Sequence, residues 1–414
     1  MTTQNNPVRV GIFFDGTGNH QGNSGQANGE LTGSYANARS NIALLHALYP
    51  EGPVGDQAFI KLYIEGVGTR EGAPDSLYAM ATGRGAAGVE ARVAQALSRA
   101  AEQLRQHGSP ARIEFDLFGF SRGAASARHL ANRLGGNERG MPAQLQGVRG
   151  INFIGLFDTV AAIVEPLVGD FDPADARHCN LRLGLEAGIA RQVVQLVAGD
   201  ERRHNFALIR SGNDIVVPGA HADIGGGYPL SMREQVLLSK PRSSRERQAT
   251  PPERSEAYAQ AKALLADLGE PRSRVLAWEV PVGNGRAQRD DAQKLVYAAV
   301  YREREVSGHL SRVYLSIMRE LGVRAGVPFM PLGGDEAHGL PGELQGISGK
   351  LHAYVLGAGQ ALQLSAAEDA LLRGKYVHAS AHWNALKGLR GSGLDSLYVN
   401  RPGQGGRVVH DNPV

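Results

Sequence analysis

The chain has 414 residues, of which 42% are hydrophobic and 21% charged, a globular composition long enough for one large α/β domain or two ordinary ones. Its 44 basic and 41 acidic residues leave a net charge of +3, which gives no electrostatic case for nucleic acid. A lone cysteine, Cys179, excludes an internal disulfide framework and any cysteine-rich metal site. No run approaches the ~18 consecutive apolar residues of a membrane span, and the nearest, Ile151–Val168, is broken by Asp158 and Glu165. The opening MTTQNNPVRV lacks the charged-then-apolar layout of a signal peptide, so synthesis in the cytoplasm without a Sec-type address is expected.

In chain order, Val8–Phe14 is a continuous apolar run that suits a central strand covered on both faces. It breaks into the turn-forming set Asp15-Gly16-Thr17-Gly18-Asn19. Asn37–Tyr49 predicts a helix and Ala58–Ile64 a second strand. Val89, Val93, Leu97, Ala100 and Leu104 recur at helical spacing, and Gly108 with Pro110 stops that helix. Ile113, Phe115 and Leu117 alternate as a buried strand that ends at Gly119-Phe120-Ser121-Arg122-Gly123 and runs straight into alanine-rich helix. Gly150–Phe157 predicts another buried strand ending at Asp158, Leu181–Val197 a helix, and Asp214–Val217 a short strand before Pro218-Gly219-Ala220-His221-Ala222-Asp223. Strands alternating with helices predict an α/β-hydrolase-like fold, a mostly parallel sheet with helices on both faces. Residues 239–256 are rich in Ser, Pro, Arg and Glu and predict a solvated loop, so that 229–256 is expected to be an insertion or lid. Ser307–Leu321 and His352–Tyr376 predict helices, with a Gly/Pro-punctuated loop over 322–349 between them. The expectation is one catalytic domain over 1–414 with a helical C-terminal part from about 290.

The chemistry centres on Gly119–Gly123, which fits G-x-S-x-G in the strand–turn–helix context of a nucleophile elbow. A serine hydroxyl needs a base to take its proton and an acid to orient that base. In this fold they follow the serine in the order acid, then histidine, on loops at later strand ends. Asp158 and His221 stand in those places, with Asp223 the competing acid and His378 the competing base. One oxyanion donor is expected from the backbone N–H of Arg122, the other from Gly16 or Thr17, with Asp15 bracing that turn. A metal held by His221 and Asp223 is short of ligands, and the expected chemistry requires neither metal nor cofactor.

FFDGTGN (Phe13–Asn19), GFSRGAA (Gly119–Ala125), GLFDTVA (Gly155–Ala161) and PGAHADIGGGY (Pro218–Tyr228) together resemble the signature set of the type VI secretion lipase effectors. YIEGVGT (Tyr63–Thr69), the run Asp200–Leu208 and YVHASAHW (Tyr376–Trp383) are also similar, so the likeness spans about residues 8–383. Matched motif by motif, the resemblance assigns nucleophile to Ser121, acid to Asp158 and base to His221. It implies hydrolysis of phospholipid acyl esters, delivery by a secretion spike or adaptor into a rival cell's periplasm or membrane, and a cognate immunity protein. Larger members carry long membrane-docking extensions, for which this chain has little room. Two other readings fit the residues: an esterase or thioesterase of soluble substrates, and an inactive hydrolase fold serving as secretion cargo or binding module.

Overall fold

The computed structural model describes residues 8–24, 33–70, 72, 74–107, 112–136, 141–146, 149–162, 172, 174–175, 180–282, 292–334, 337–357, 361–386, 388–391 and 397–413. Its first half is built from strands β1 (Val8–Phe14), β2 (Gly52–Val54), β3 (Gln57–Ile64), β4 (Ile113–Phe120), β5 (Arg149–Phe157), β6 (Gln192–Ala198), β7 (Leu208–Ile209) and β8 (Asp214–Val217). Between them lie helices α1 (Asn41–Leu48), α2 (Leu77–Thr82), α3 (Val89–Arg105) and α4 (Arg122–Gly135), and α5 (His221–Gly225) follows β8. Seven strands form one sheet in the order β2-β3-β1-β4-β5-β6-β8. Every pairing in it is parallel except that of β2 with β3.

The alternation of side chains along the central strands sorts the core into two layers. Val10, Ile12, Phe14 and Leu117 pack with Val93, Leu97 and Leu104 of α3 and Leu130 of α4. Phe13 and Phe118 point the other way, into Ile42, Leu45 and Tyr49 around α1 and the residues Tyr314, Met318, Leu344 and Leu351 further on. Burial of every residue of β1 reflects these two covers, the reason a parallel strand reads as a mostly apolar run. One charged pair interrupts the apolar middle. The Arg9 guanidinium grips Asp116 at 2.6 and 2.9 Å, and Tyr49 and Asn152 each donate to the same carboxylate at 2.8 Å.

The chain moves from β1 outward to β3 and then crosses back to β4 on the other side of β1. That reversal places a topological switch point at the carboxyl ends of β1 and β4, where open α/β sheets put their ligand crevice. Asp15 and Ser121 are the first residues past those two ends.

The predicted strands and elbow helix are present, but three other expectations change. The segment expected to be a helix over 181–197 contains β6 instead, because Val194, Leu196 and Ala198 alternate into one core layer with period two. Within 229–256, β9 (Met232–Leu237) and β10 (Arg242–Arg247) replace the solvated loop. They join β11 (Ser273–Pro281) and β12 (Gln293–Val306) in a second, antiparallel sheet beside α6 (Glu256–Leu268), with β9 and β10 both paired to β12. Six residues of β10 are locked in register with β12, so the charge alternation marks a strand with solvated side chains. Among the described residues, the part from 290 is helical only in α7 (Leu310–Arg324), α8 (Gly342–Leu356), α9 (Ala366–Leu371) and one π turn at Leu372–Tyr376. It begins with β12 and ends in β13 (Val409–His410), which pairs with β7. Cys179 lies outside the described residues.

Candidate active site

Ser121 sits between β4 and α4 with φ 59° and ψ −125°, a left-handed conformation that an L residue holds only under constraint. The constraint is visible. Its N–H donates to the Phe157 carbonyl at 3.1 Å, and its carbonyl accepts from Ala125 at 3.2 Å. The flanking glycines make the bend sterically possible. A Cβ on Gly119 would lie 2.5 Å from Ala124 Cα, and one on Gly123 would lie 2.3 Å from the Phe14 carbonyl oxygen. Ala124, Ala125 and Ala127 are fully buried against the sheet, as the alanine-rich helix requires.

Asp158 follows β5 directly, also at positive φ (48°), and is completely buried. His221 opens α5 just beyond β8 and retains 5% exposure, as does Ser121. The His221 Nδ1 lies 2.5 Å from Asp158 Oδ2. An ionised carboxylate can only accept, so Nδ1 carries the hydrogen and Nε2 is left with its lone pair. The His221 ring is held by Phe120, the residue before the serine, at 4.6 Å between centroids, and edge-on by Phe206 at 4.8 Å. Thus Ser121, Asp158 and His221 follow the carboxyl ends of β4, β5 and β8 of one sheet, with Asp158 and His221 in direct contact.

The acid's other partners were not legible. Asp158 Oδ1 accepts from the Ala198 N–H at 2.9 Å, but the larger element is Arg407, far along the chain, whose Nη1 and Nη2 reach Oδ1 and Oδ2 at 2.8 Å each. No Lys or Arg stands near Asp158 in sequence, so nothing local signals this ion pair. Burial works against its ionised form, but Arg407 and then His221 outweigh it and hold the carboxyl far below the usual carboxylate range. For His221, burial is the largest influence and lowers its basicity, and the bond to Asp158 works in the opposite direction.

A second charged pair supports the histidine. Glu201 Oε2 accepts from the His221 backbone N–H at 3.3 Å, and Arg203 binds both Glu201 oxygens at 2.7 and 2.9 Å. The Arg203 guanidinium lies 3.3 Å from the centroid of the Phe206 ring, whose other contact is His221. Despite the burial cost, Arg203 holds the Glu201 carboxyl down to about 2. These residues fall in the run Asp200–Leu208, whose only sequence signal is its family likeness.

The loop after β1 is braced as expected. Asp15 accepts from the Gly16 N–H at 2.7 Å, Ser40 at 2.8 Å and Tyr63 at 2.6 Å, and burial still lifts its carboxyl to about 6. This brace changes one expectation. The Gly16 N–H is already committed to Asp15, which leaves Thr17 as the unspent amide of the pair expected to form the oxyanion hole. Thr17 Oγ1 accepts from Arg122 Nε at 2.8 Å, tying the loop to the residue after the serine. The Arg122 guanidinium is buried enough to fall to about 10, and its backbone N–H is one of the first-turn donors of α4 that no helical carbonyl can satisfy.

Asp223 and His378 pair with each other rather than compete for the serine. His378 donates to Asp223 from Nδ1 at 2.6 Å and from its backbone at 3.0 Å, and the Asp223 carboxylate also receives the Ala220 N–H at 2.9 Å. Tyr228 stacks on the His378 ring at 3.8 Å. That pair props the turn carrying His221 from behind. A cleft of about 460 Å³ lined by Arg112, Glu114, Arg149 and Arg191 lies at the amino ends of β4 and β5, the wrong end of the sheet for this chemistry.

Comparison with known proteins agrees with the motif resemblance. Residues 9–136 match the model of the type VI secretion system phospholipase effector Tle1-like catalytic domain. Over nearly its whole length the chain is also similar to the Tle1 effector, solved bound to the VgrG spike of the type 6 secretion system. The two are 28% identical, with 98% of this chain and 94% of that chain covered at a TM-score of 0.76. The recognition of a Tle1-like phospholipase effector holds. An uncharacterized protein from Pseudomonas aeruginosa is 20% identical over 86% of this chain and 51% of that chain, with a TM-score of 0.45. No curated protein matches the sequence. The segment matched to the Tle1-like domain carries Asp15, Gly16, Ser121 and Arg122, whereas Asp158, His221 and Arg407 lie beyond it.

Proposed function

We propose that this chain is a single catalytic unit hydrolysing the acyl esters of membrane phospholipids through Ser121, His221 and Asp158. The observation that carries the reading is the 2.5 Å contact of His221 Nδ1 with Asp158, beside a serine held at φ 59°. It leaves Nε2 as the atom that takes the Ser121 proton when Oγ attacks the ester carbonyl. The backbone N–H groups of Arg122 and Thr17 receive the developing oxyanion, with Gly16 available only if its bond to Asp15 opens. The tetrahedral intermediate collapses, the alcohol leaves with the proton from Nε2, and water, deprotonated by the same nitrogen, releases the fatty acid. Asp158 stays ionised throughout and stabilises the imidazolium. The similar Tle1 effector, solved on a VgrG spike, supports carriage on a secretion spike; action in a target cell's periplasm or at its membrane and a cognate immunity protein rest on the motif resemblance alone.

The test is lipid mass spectrometry after incubation of the purified chain with bacterial phospholipid vesicles, beside Ser121→Ala. Release of fatty acid and lysophospholipid by the wild type alone is expected, and equal product from both would remove the nucleophile assignment. Fluorophosphonate labelling lost in Ser121→Ala separates an enzyme from an inactive fold. Hydrolysis of a soluble thioester in place of lipid would move the substrate class.

A further inference from the structure

We propose that Arg407 is a positioning residue of the triad, holding the Asp158 carboxylate in place for His221 and setting the pH at which that base becomes available. The inference rests on the triad assignment above. Both Asp158 oxygens are saturated: Oδ1 by Ala198 N–H and Arg407 Nη1, Oδ2 by His221 Nδ1 and Arg407 Nη2. A carboxylate offers about four acceptor positions, so no rotation remains that keeps every donor paired. Half of those donors come from one guanidinium with a planar fork that matches the carboxylate plane. Without it, Asp158 would be a buried charge left with one donor on each oxygen.

Arg407 is itself fixed by the chain around it. Its Nε donates to the Phe206 carbonyl at 2.7 Å, and Nη1 also faces the Ala198 carbonyl at 3.5 Å. The flanking segment is stitched to the loop that carries Glu201, Arg203 and Phe206. His204 donates to the Arg401 carbonyl at 3.1 Å, Gly403 to the Arg202 carbonyl at 2.9 Å, and Leu208 to the Val408 carbonyl at 2.9 Å. Beyond β13, Asn412 accepts from Arg128 at 2.8 Å and from the Leu185 N–H at 2.9 Å. The C-terminal stretch is thus a strap across the back of the acid, with Arg407 its one side chain on Asp158.

The charged groups that face His221 are few: Asp158 at the end of β5 with Arg407 behind it, and Glu201 with Arg203 from the loop after β6. Asp223, on its own helix, is occupied by His378. Phe120 and Phe206 supply the remaining walls. Arg407 cancels much of the negative charge that would otherwise hold a proton on His221. The base is therefore free at lower pH than a histidine with an unpaired aspartate would allow.

The experiment is the pH dependence of kcat/KM for ester hydrolysis by the full chain, for wild type, Arg407→Gln, Arg407→Lys and His221→Ala. Arg407→Gln removes the charge, so the acidic limb should move up by about one pH unit, with kcat lower by about tenfold to a hundredfold. Arg407→Lys keeps the charge but loses the fork, so the limb should stay while kcat falls with KM unchanged. An unmoved limb in a folded Arg407→Gln, or wild-type kcat in Arg407→Lys, would overturn the role. If Arg407→Gln does not fold, Arg407→Lys decides the matter by its kcat. Full activity in His221→Ala would refute the triad itself and Arg407's role with it. A dead His221→Ala beside an unaffected Arg407 pair of variants would refute Arg407 alone.

Discussion

Replacing Gly123 by alanine tests how the elbow couples to the loop after β1. The new Cβ would stand 2.3 Å from the Phe14 carbonyl oxygen and 2.4 Å from that of Asp15, both backbone atoms. Ordinary contact needs about 1 Å more, and neither atom can swing aside as a side-chain tip would. The relief must come from moving α4 away from the end of β1. Such a shift separates the Arg122 N–H from the Thr17 N–H by about the displacement that misaligns a catalytic group. Loss of one oxyanion donor lowers kcat by about 10²–10³-fold, and overpacking of this kind costs about 1–3 kcal/mol of stability. Gly135, at the other end of the same helix, is the internal control, because a Cβ there meets nothing within 4 Å. Gly135→Ala should gain about 0.5–1 kcal/mol from helix propensity and leave kcat alone. The assay is kcat and KM on a chromogenic ester together with urea unfolding for both variants. A Gly123→Ala enzyme within about threefold of wild-type kcat would refute the argument that the spacing of these two backbone segments sets the oxyanion hole.

Three further outcomes follow from the same geometry. Arg9→Ala leaves the Asp116 carboxylate buried with only Tyr49 and Asn152 as donors, so urea titration should show a loss near the lower end of the ~3–5 kcal/mol typical of broken buried pairs. A loss below about 1 kcal/mol would mean that the pair is no more than a surface ion pair in effect. His129 is lowered to about 4, chiefly by burial and then by Arg133 and Arg182, with its Nδ1 accepting the Arg182 N–H. The unfolded chain therefore binds the extra proton between its ordinary pKa and about 4, and this contribution weakens as pH falls through that window. The drop in Tm between pH 7 and pH 5 should be smaller in His129→Gln than in wild type, and equal drops in the two would show that His129 does not titrate there. Ser121 and His221 are each only 5% exposed, so an ester carbonyl is expected to reach the serine most readily when a lipid surface shifts the neighbouring chain. Hydrolysis should be faster on vesicle or micellar ester than on the same ester as monomer, and equal rates would mean access without rearrangement.

Much of the central fold was legible because parallel strands leave a strong local trace. Val8–Phe14 and Gly150–Phe157 are apolar but for Arg9 and Asn152 since helices cover both faces, and an aspartate, Asp15 or Asp158, follows each directly. The elbow was equally plain, for the glycines at 119 and 123 are required by the close approach of their own neighbours in strand and helix. The order Ser121, Asp158, His221 is likewise legible in the sequence. β6 is hard to read as a strand because its alternation covers only seven residues. β10 was hidden because an edge strand with solvated side chains carries no apolar pattern at all.

What sequence alone determined was local: which strand ends carry reactive side chains and where the backbone must bend. What tertiary structure decided was which charges meet. Nothing in the residues around Asp158 signals Arg407, which arrives across 249 positions of chain, and the Asp223–His378 pairing needs 155. Burial explains the difference. A carboxylate withdrawn from water must find donors wherever the fold brings them, so its partners are fixed by three-dimensional proximity and leave no pattern of spacing along the chain.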